Sequence, residues 1–214
     1  MREFLRQLPV FSGMIMDFDP AAVPDDPVDL FTRWLHEAVA EGVPEPHAMV
    51  LSTCDADGGP DARALILKDL DDRGWWFATN ALSPKGIQLS AQPAAALTFY
   101  WPQMARQVRV RGPVERGTAA HSTADFRERG SSARAVALVS QESQPLTDRR
   151  ECAAAIAEAE RRLSENPNLI APHWQTYAVN AHTVEFWQAD KDRQHLRVRY
   201  TRDSAGWVHT LLWP

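Results

Sequence analysis

With 214 residues, 44% hydrophobic and 24% charged, the chain can bury one fair-sized core and lacks the composition of a disordered or low-complexity protein. A formal charge of -5 speaks against a nucleic-acid or anionic-membrane partner, so local basic clusters must be read as sites. Cys54 and Cys152 stand far apart with no CxxC spacing and no neighbouring histidine; neither a disulfide framework nor a zinc site is suggested, and both are expected to be small buried groups in a reducing compartment.

Residues 1–25 are expected to form an irregular arm, punctuated by Pro9, Gly13, Pro20 and Pro24. The arm makes a poor signal peptide because it carries Glu3 and no sustained apolar run. No run anywhere approaches the roughly 18 apolar residues of a membrane span, so a cytoplasmic protein is expected. Asp26-Pro27-Val28-Asp29 then starts a helix: Asp26 can cap the free N–H groups, Pro27 suits the first helical position and Asp29 suits the positive dipole end. Leu30, Phe31, Trp34, Leu35, Ala38 and Val39 make its apolar stripe, which ends before Gly42.

The period then changes. Strands are predicted over 48–54, 62–68, 75–79, 95–101 and 107–114, separated by Asp/Gly-rich turns at 55–60 and 71–74 and by a short helix from about Pro84 to Ser90. Helices are predicted over 119–129 and from about Asp148 to Leu163, followed by strands over 176–179, 183–188, 195–200 and 207–212. Strands at hairpin spacing with peripheral helices favour a mainly β antiparallel barrel over a doubly wound sheet. No GxGxxG, P-loop, GxSxG or HExxH pattern is present, so a dinucleotide fold, an NTPase, a serine hydrolase and a zinc protease all lack their parts.

Three constellations could carry chemistry. Ser83-Pro84-Lys85-Gly86 places a cation and free N–H groups at a helix start, where an anion binds; a plain capped helix with a solvated lysine is the alternative. In Arg63-Ala64-Leu65-Ile66-Leu67-Lys68, alternation sets Arg63 on the face of Leu65 and Leu67 and Lys68 on the other. Along 193–199, alternation gathers Arg193, His195, Arg197 and Arg199 into a wholly basic face, suited to a phosphate, a carboxylate or an anionic flavin, with His195 able to exchange a proton near neutral pH. An exposed edge guarded by positive charge is the alternative there.

Taken in order, Asp26 to Trp34, Arg63 to Lys68, Phe77-Ala78-Thr79-Asn80, Ser83 to Leu89, Arg106-Gln107-Val108-Arg109, Glu185-Phe186-Trp187-Gln188 and Arg193 to Arg197 resemble the pyridoxamine (pyridoxine) 5′-phosphate oxidases. The resemblance covers all but the arm. It implies a split β-barrel over 26–214, a homodimer, and FMN held between subunits. By position it implies FMN contacts from Arg63, Ala64, Leu65, Ile66, Leu67, Lys68, Ala78, Thr79, Lys85, Gln107, Ser143, Trp187 and Arg197. It places substrate at Lys68, Arg129, Arg193 and His195, with Arg193 and His195 as the catalytic pair while hydride passes to flavin and electrons go on to dioxygen.

Departures fall in the same places. Pro84 replaces a basic residue and Glu142 a glutamine near the flavin; Asp125 replaces a tyrosine and Ala133 a serine near the substrate phosphate. Asp125 and Arg129, four apart on one helix, are expected to pair, which would make a phosphorylated substrate poor unless Arg134 or Ser131 compensates. The expected activity is therefore an FMN-dependent oxidase acting on a small anionic or heterocyclic compound, with pyridoxine or pyridoxamine 5′-phosphate as the default. A relative acting on a secondary-metabolite precursor, as in phenazine biosynthesis, and a non-catalytic flavin-binding barrel remain as alternatives.

Overall fold

The computed structural model describes residues 1–214. Its element order is α1 (Arg2–Gln7), α2 (Pro27–Ala40), β1 (Ala48–Cys54), β2 (Pro60–Ile66), β3 (Asp69–Asp71), β4 (Gly74–Asn80), α3 (Pro84–Ala91), β5 (Ala94–Trp101), β6 (Arg106–Arg116), α4 (Ala119–Glu128), α5 (Ser131–Val139), α6 (Arg149–Glu165), β7 (Trp174–Val179), β8 (Thr183–Gln188), β9 (Leu196–Asp203) and β10 (Gly206–Leu211). Helix α2 starts as its sequence dictates: Asp26 accepts the N–H of Val28 at 2.8 Å and Pro27 fills the first turn. Three elements were not foreseen: α1 in the arm, the three-residue β3, and α5.

All strand pairs are antiparallel, in the order β10-β9-β8-β6-β5-β1-β2, with β7, β4 and β3 branching from β6. The branch lies within β6 itself. Arg106–Arg111 pair with β8, whereas Val114–Arg116 pair with β7. Between them sit Gly112 and Pro113. A Cβ on Gly112 would lie 2.0 Å from the carbonyl oxygen of Asn180, so only glycine lets the β7–β8 connection cross there. Pro113 supplies no N–H, yet its carbonyl accepts from Asn180 at 2.9 Å. This is the point at which the barrel splits.

Helix α2 fills the barrel. Leu30, Phe31, Trp34 and Ala38 are buried in one core with Trp75, Phe77, Leu97, Phe99, Trp101, Val108, Phe186, Val198 and Tyr200. Phe31 lies 4.8 Å from Phe99 and Trp34 5.2 Å from Phe186, ring to ring; each such side chain contributes about 1.5–3 kcal/mol by leaving water. Buried Arg106 donates to Gln188 at 2.7 Å, pairs with Glu37 of α2 and stacks over Trp34, tying the plug to the sheet. Burial pushes its guanidinium down and Glu37 pulls it back in part.

Helices α4, α5 and α6 form a second layer with small cores of their own around Phe126, Ala137 and Ala171, and around Ala135, Ala159 and Leu163. The arm is not detached: Met16, Phe18 and Val23 pack on the main core, and Tyr200 donates to the Pro24 carbonyl at 2.8 Å. Both cysteines are free, but Cys54 is exposed and Cys152 half-buried, which corrects the expectation that they are core groups. No helix is long and apolar enough to cross a membrane.

Candidate active site

Arg63 lies on the inner face of β2, in register with Leu51 of β1, at the margin of the barrel. Its guanidinium donates to Thr53 Oγ1 at 2.6 Å and to Gln88 Oε1 of α3 at 3.1 Å, and pairs with Asp61 at 2.5 Å. Beside it, Lys85 Nζ reaches only two hydroxyls, Thr79 at 3.3 Å and Ser83 at 3.2 Å, and makes no ion pair. Burial pushes the Lys85 ammonium down, and the neighbouring Arg63 charge pushes it further; Glu142 and Asp61 offset this only in part. Two repelling cations beside hydroxyl donors suit an arriving anion.

The start of α3 adds backbone donors to the same place. Ser83 precedes Pro84 as expected, but its hydroxyl donates to the Asn80 carbonyl at 2.7 Å and does not cap the helix, leaving that duty open. A Cβ on Gly86 would lie 2.5 Å from the Ala81 carbonyl, so the turn from β4 into α3 closes only over glycine. Asn80 anchors the far side, donating to Ser140 at 2.8 Å and to Glu142 at 2.5 Å. Pro84 is exposed, and Ser143 is exposed with φ of 67°.

Next to this cradle is a cleft of about 480 Å³ lined by Ala64, Leu65, Ile66, Lys68, Ala78, Thr79, Arg129, Glu142 and Trp174, among others. It unites eight of the expected positions from β2, β4 and the α4–α5 region. Strand β2 ends at Ile66, so the alternation expected for Lys68 does not reach it; Lys68 lies in the connection to β3, its N–H bonded to the Trp76 carbonyl at 2.8 Å. Helix α4 ends at Glu128, and Arg129 is its extended C-cap. The expected Asp125–Arg129 pair therefore does not form. Asp125 instead faces Lys68 at 3.5 Å and accepts the Trp174 indole N–H at 2.7 Å. Arg129 stacks on Trp174 at 4.1 Å and donates to the Ala133 carbonyl at 3.4 Å, while its buried Nε has no acceptor. Burial lowers Arg129, and the charges of Asp125 and Glu142 raise it in part.

The remaining expected residues lie elsewhere on the sheet. Gln107, Trp187 and Arg197 are in register across β6, β8 and β9, on the face opposite the buried Val108, Phe186 and Val198. From β8 to β2 the path crosses β6, β5 and β1, roughly 19 Å along the sheet. His195 packs against Trp187 at 4.8 Å and under Phe11 of the arm at 5.4 Å. Its Nδ1 accepts the Asp190 N–H at 3.1 Å, which leaves the proton of the neutral ring on Nε2. Arg193, at φ of 62°, is exposed in the turn just before.

The basic stripe is not wholly basic once folded. Glu185 of β8, 7% exposed, lies opposite Arg199 and takes Arg197 at 2.8 Å, Arg199 at 3.3 Å and Arg109 at 3.8 Å. Burial alone would raise the Glu185 carboxyl, but Arg197, Arg109 and Arg199 outweigh it and hold the group below its ordinary value. The role of Glu185 as the counter-ion depends on strand register, which sets it opposite Arg109 and Arg199 and which no local pattern carries.

Comparison with known proteins follows the same division of the chain. Residues 35–163 match the family model described as pyridoxamine 5′-phosphate oxidase, and residues 174–214 match that of the pyridoxine 5′-phosphate oxidase C-terminal dimerisation region. A pyridoxine/pyridoxamine 5′-phosphate oxidase of Pseudomonas paraeruginosa is 42% identical over 196 residues, 91% of each chain. That of Azorhizobium caulinodans is 42% identical over 210 residues, 97% of this chain and 96% of its own. Among solved structures, PhzG of Burkholderia lata, in complex with tetrahydrophenazine-1-carboxylic acid, superposes with a TM-score of 0.87 at 30% identity, covering 94% of this chain and all of its own. An FMN-binding protein of Nostoc punctiforme shares the fold at a TM-score of 0.70 and 17% identity, over 93% of this chain and all of its own.

Proposed function

Because the chain belongs to the pyridoxamine 5′-phosphate oxidase family, we propose that it is an FMN-dependent oxidase whose default substrate is pyridoxine or pyridoxamine 5′-phosphate. The observation that carries the flavin assignment is Lys85: a half-buried ammonium beside Arg63, met only by hydroxyls, at a helix start with open N–H groups. Arg63, Lys85 and the N-terminus of α3 would hold the FMN phosphate, with Thr79 supplying a hydroxyl. Ala64, Leu65, Ile66 and Ala78 would wall the ring. When bound, FMN supplies the two-electron acceptor, taking hydride from the substrate carbon and yielding electrons to dioxygen.

Residues 26–214 would form the flavin-binding unit, with residues 1–25 as an arm over it. The unit works as a homodimer. Gln107, Trp187 and Arg197 stand about four strands away from Arg63 along one chain, and the C-terminal segment that bears Trp187 and Arg197 matches a dimerisation region. Each site would then take its cradle from one subunit and the Gln107–Trp187–Arg197 row from the other. Glu185 would aim Arg197 at the flavin, and His195, its Nδ1 pinned by Asp190, would present an Nε2 proton to the substrate beside Arg193. Lys68 and Arg129 would meet the substrate at the other end.

A second substrate class is favoured by one observation. Lys68 is already occupied by Asp125, which suits a compound with a single carboxylate, such as that bound by the Burkholderia protein, better than a phosphate. One experiment tests the flavin reading. The purified protein should be yellow with one FMN per subunit, and pyridoxine 5′-phosphate should bleach it without oxygen. Colourless protein that does not quench added FMN would sink it.

A further inference from the structure

The cleft beside the cradle contains two cations among its lining residues, Lys68 and Arg129, and they are in different states. The Lys68 ammonium is three-quarters buried, with the Asp125 carboxylate 3.5 Å away. Asp125 is itself fixed: 11% exposed, it accepts the Trp174 indole N–H at 2.7 Å through its other oxygen. A carboxylate held by two partners on two elements is not free to swing aside for an incoming anion. Arg129 has no carboxylate. Its guanidinium lies on the Trp174 face at 4.1 Å, bonded only to a carbonyl at 3.4 Å, and its Nε is orphaned.

No other cation stands ready to help. Arg134, four residues after Gly130, donates to the carbonyls of Pro167 and Leu169 and stacks near Phe126, so it holds the loop between α6 and β7 in place. Ser131 is exposed at the start of α5. Glu142 and Glu45 add negative charge to the cleft wall. A doubly charged group entering here meets one available guanidinium, one neutralised lysine and a fixed carboxylate beside it.

We propose that Asp125 is the charge selector of this cleft: by holding Lys68 it leaves Arg129 alone to receive the substrate's anionic group, and so favours a singly charged group over a phosphate dianion. The proposal rests on the reading of this cleft as the substrate site. Asp125 acts chiefly through Lys68, and that effect vanishes when its charge is removed. Asparagine keeps an oxygen for the Trp174 N–H, so Asp125→Asn changes the charge with the least change of shape.

The test separates binding from turnover. Two probes that lack the oxidisable group, 4-deoxypyridoxine and its 5′-phosphate, are titrated into the FMN-loaded protein by calorimetry, with flavin absorbance as the check on folding. In Asp125→Asn the ratio of phosphorylated to unphosphorylated affinity should rise about tenfold or more, the effect of removing one close charge at partial burial. In the double variant Asp125→Asn with Lys68→Met, most of that gain should vanish, because it flows through the released lysine. A ratio that stays or falls in Asp125→Asn overturns the proposal, as does a gain that persists without Lys68 or a phosphorylated probe that binds no variant. Turnover reads the function independently: if pyridoxine 5′-phosphate bleaches neither wild type nor Asp125→Asn, that substrate is wrong, while a shifted affinity ratio still establishes the selector.

Discussion

Two regions of one sheet carry clustered cations, and the fold has treated them oppositely. At the β2–α3 margin, Lys85 is left with hydroxyls alone beside Arg63. Across β6, β8 and β9, within the sheet, Arg197, Arg199 and Arg109 converge on the single carboxylate of Glu185. In sequence the second cluster looks the more available, because it is longer and unbroken by acid. The difference shows that the availability of a cation is set by the residue across the ladder. A lysine left without a carboxylate suits an arriving anion, whereas three arginines drawn onto one carboxylate make a scaffold that fixes where its members point.

That contrast predicts opposite outcomes for equivalent substitutions. Glu185→Gln should be the most costly, about 3 kcal/mol of stability, because it strips the counter-ion from partly buried arginines; urea unfolding at neutral pH checks it, and a loss below a few tenths would mean the trio is merely exposed charge. The same cost should depend on pH. Glu185 is held below its ordinary 4.5 in the fold, so the folded state binds fewer protons than the unfolded there. Its contribution is fully present above pH 4.5 and fades as pH falls through the folded value. Wild type and Glu185→Gln should therefore converge in acid; curves that stay parallel would contradict the linkage.

Removing the β2-margin cations should spare the fold and strike the ligand. Arg63→Ala should weaken FMN binding by about 2 kcal/mol, the range of a charge-assisted hydrogen bond, as read by quenching of flavin fluorescence. Lys85→Met should weaken FMN by about 1.5 kcal/mol while leaving the apo protein as stable or slightly more so, since an unpaired half-buried charge has gone. Destabilised apo protein would show that Lys85 is structural. Along residues 193–197 the members should separate: His195→Ala and Arg193→Ala slow anaerobic flavin reduction, by about 100-fold for His195, with flavin retained, whereas Arg197→Ala loses flavin. Equal flavin loss in all three would remove the distinction.

Much of this was legible from local pattern. The cap at Asp26 and the stripe through Trp34 fixed α2, and alternation with Asp/Gly turns located β1, β2, β4, β5, β6 and β8 within a residue or two. Helix α5 was missed because Gly130-Ser131-Ser132 reads as loop; it starts without a side-chain cap and is held by packing on α6. Charge partners were the least legible. Pairing Asp125 with Arg129 assumed one more residue of helix than α4 has, and the true partner, Lys68, comes from a connection some sixty residues earlier. Glu185 is likewise a product of register between strands.

The central claim is that one flavin site is completed by two chains, and subunit complementation tests it most directly. Arg63→Ala damages the cradle and Arg197→Ala the opposing row, so each variant alone should retain little FMN. Co-expressed with different affinity tags and purified through both, the mixed dimer should recover one intact site, seen as restored flavin absorbance and bleaching by substrate. If the mixed dimer stays as colourless as its parents, the two clusters do not meet across subunits, and the composite site is wrong.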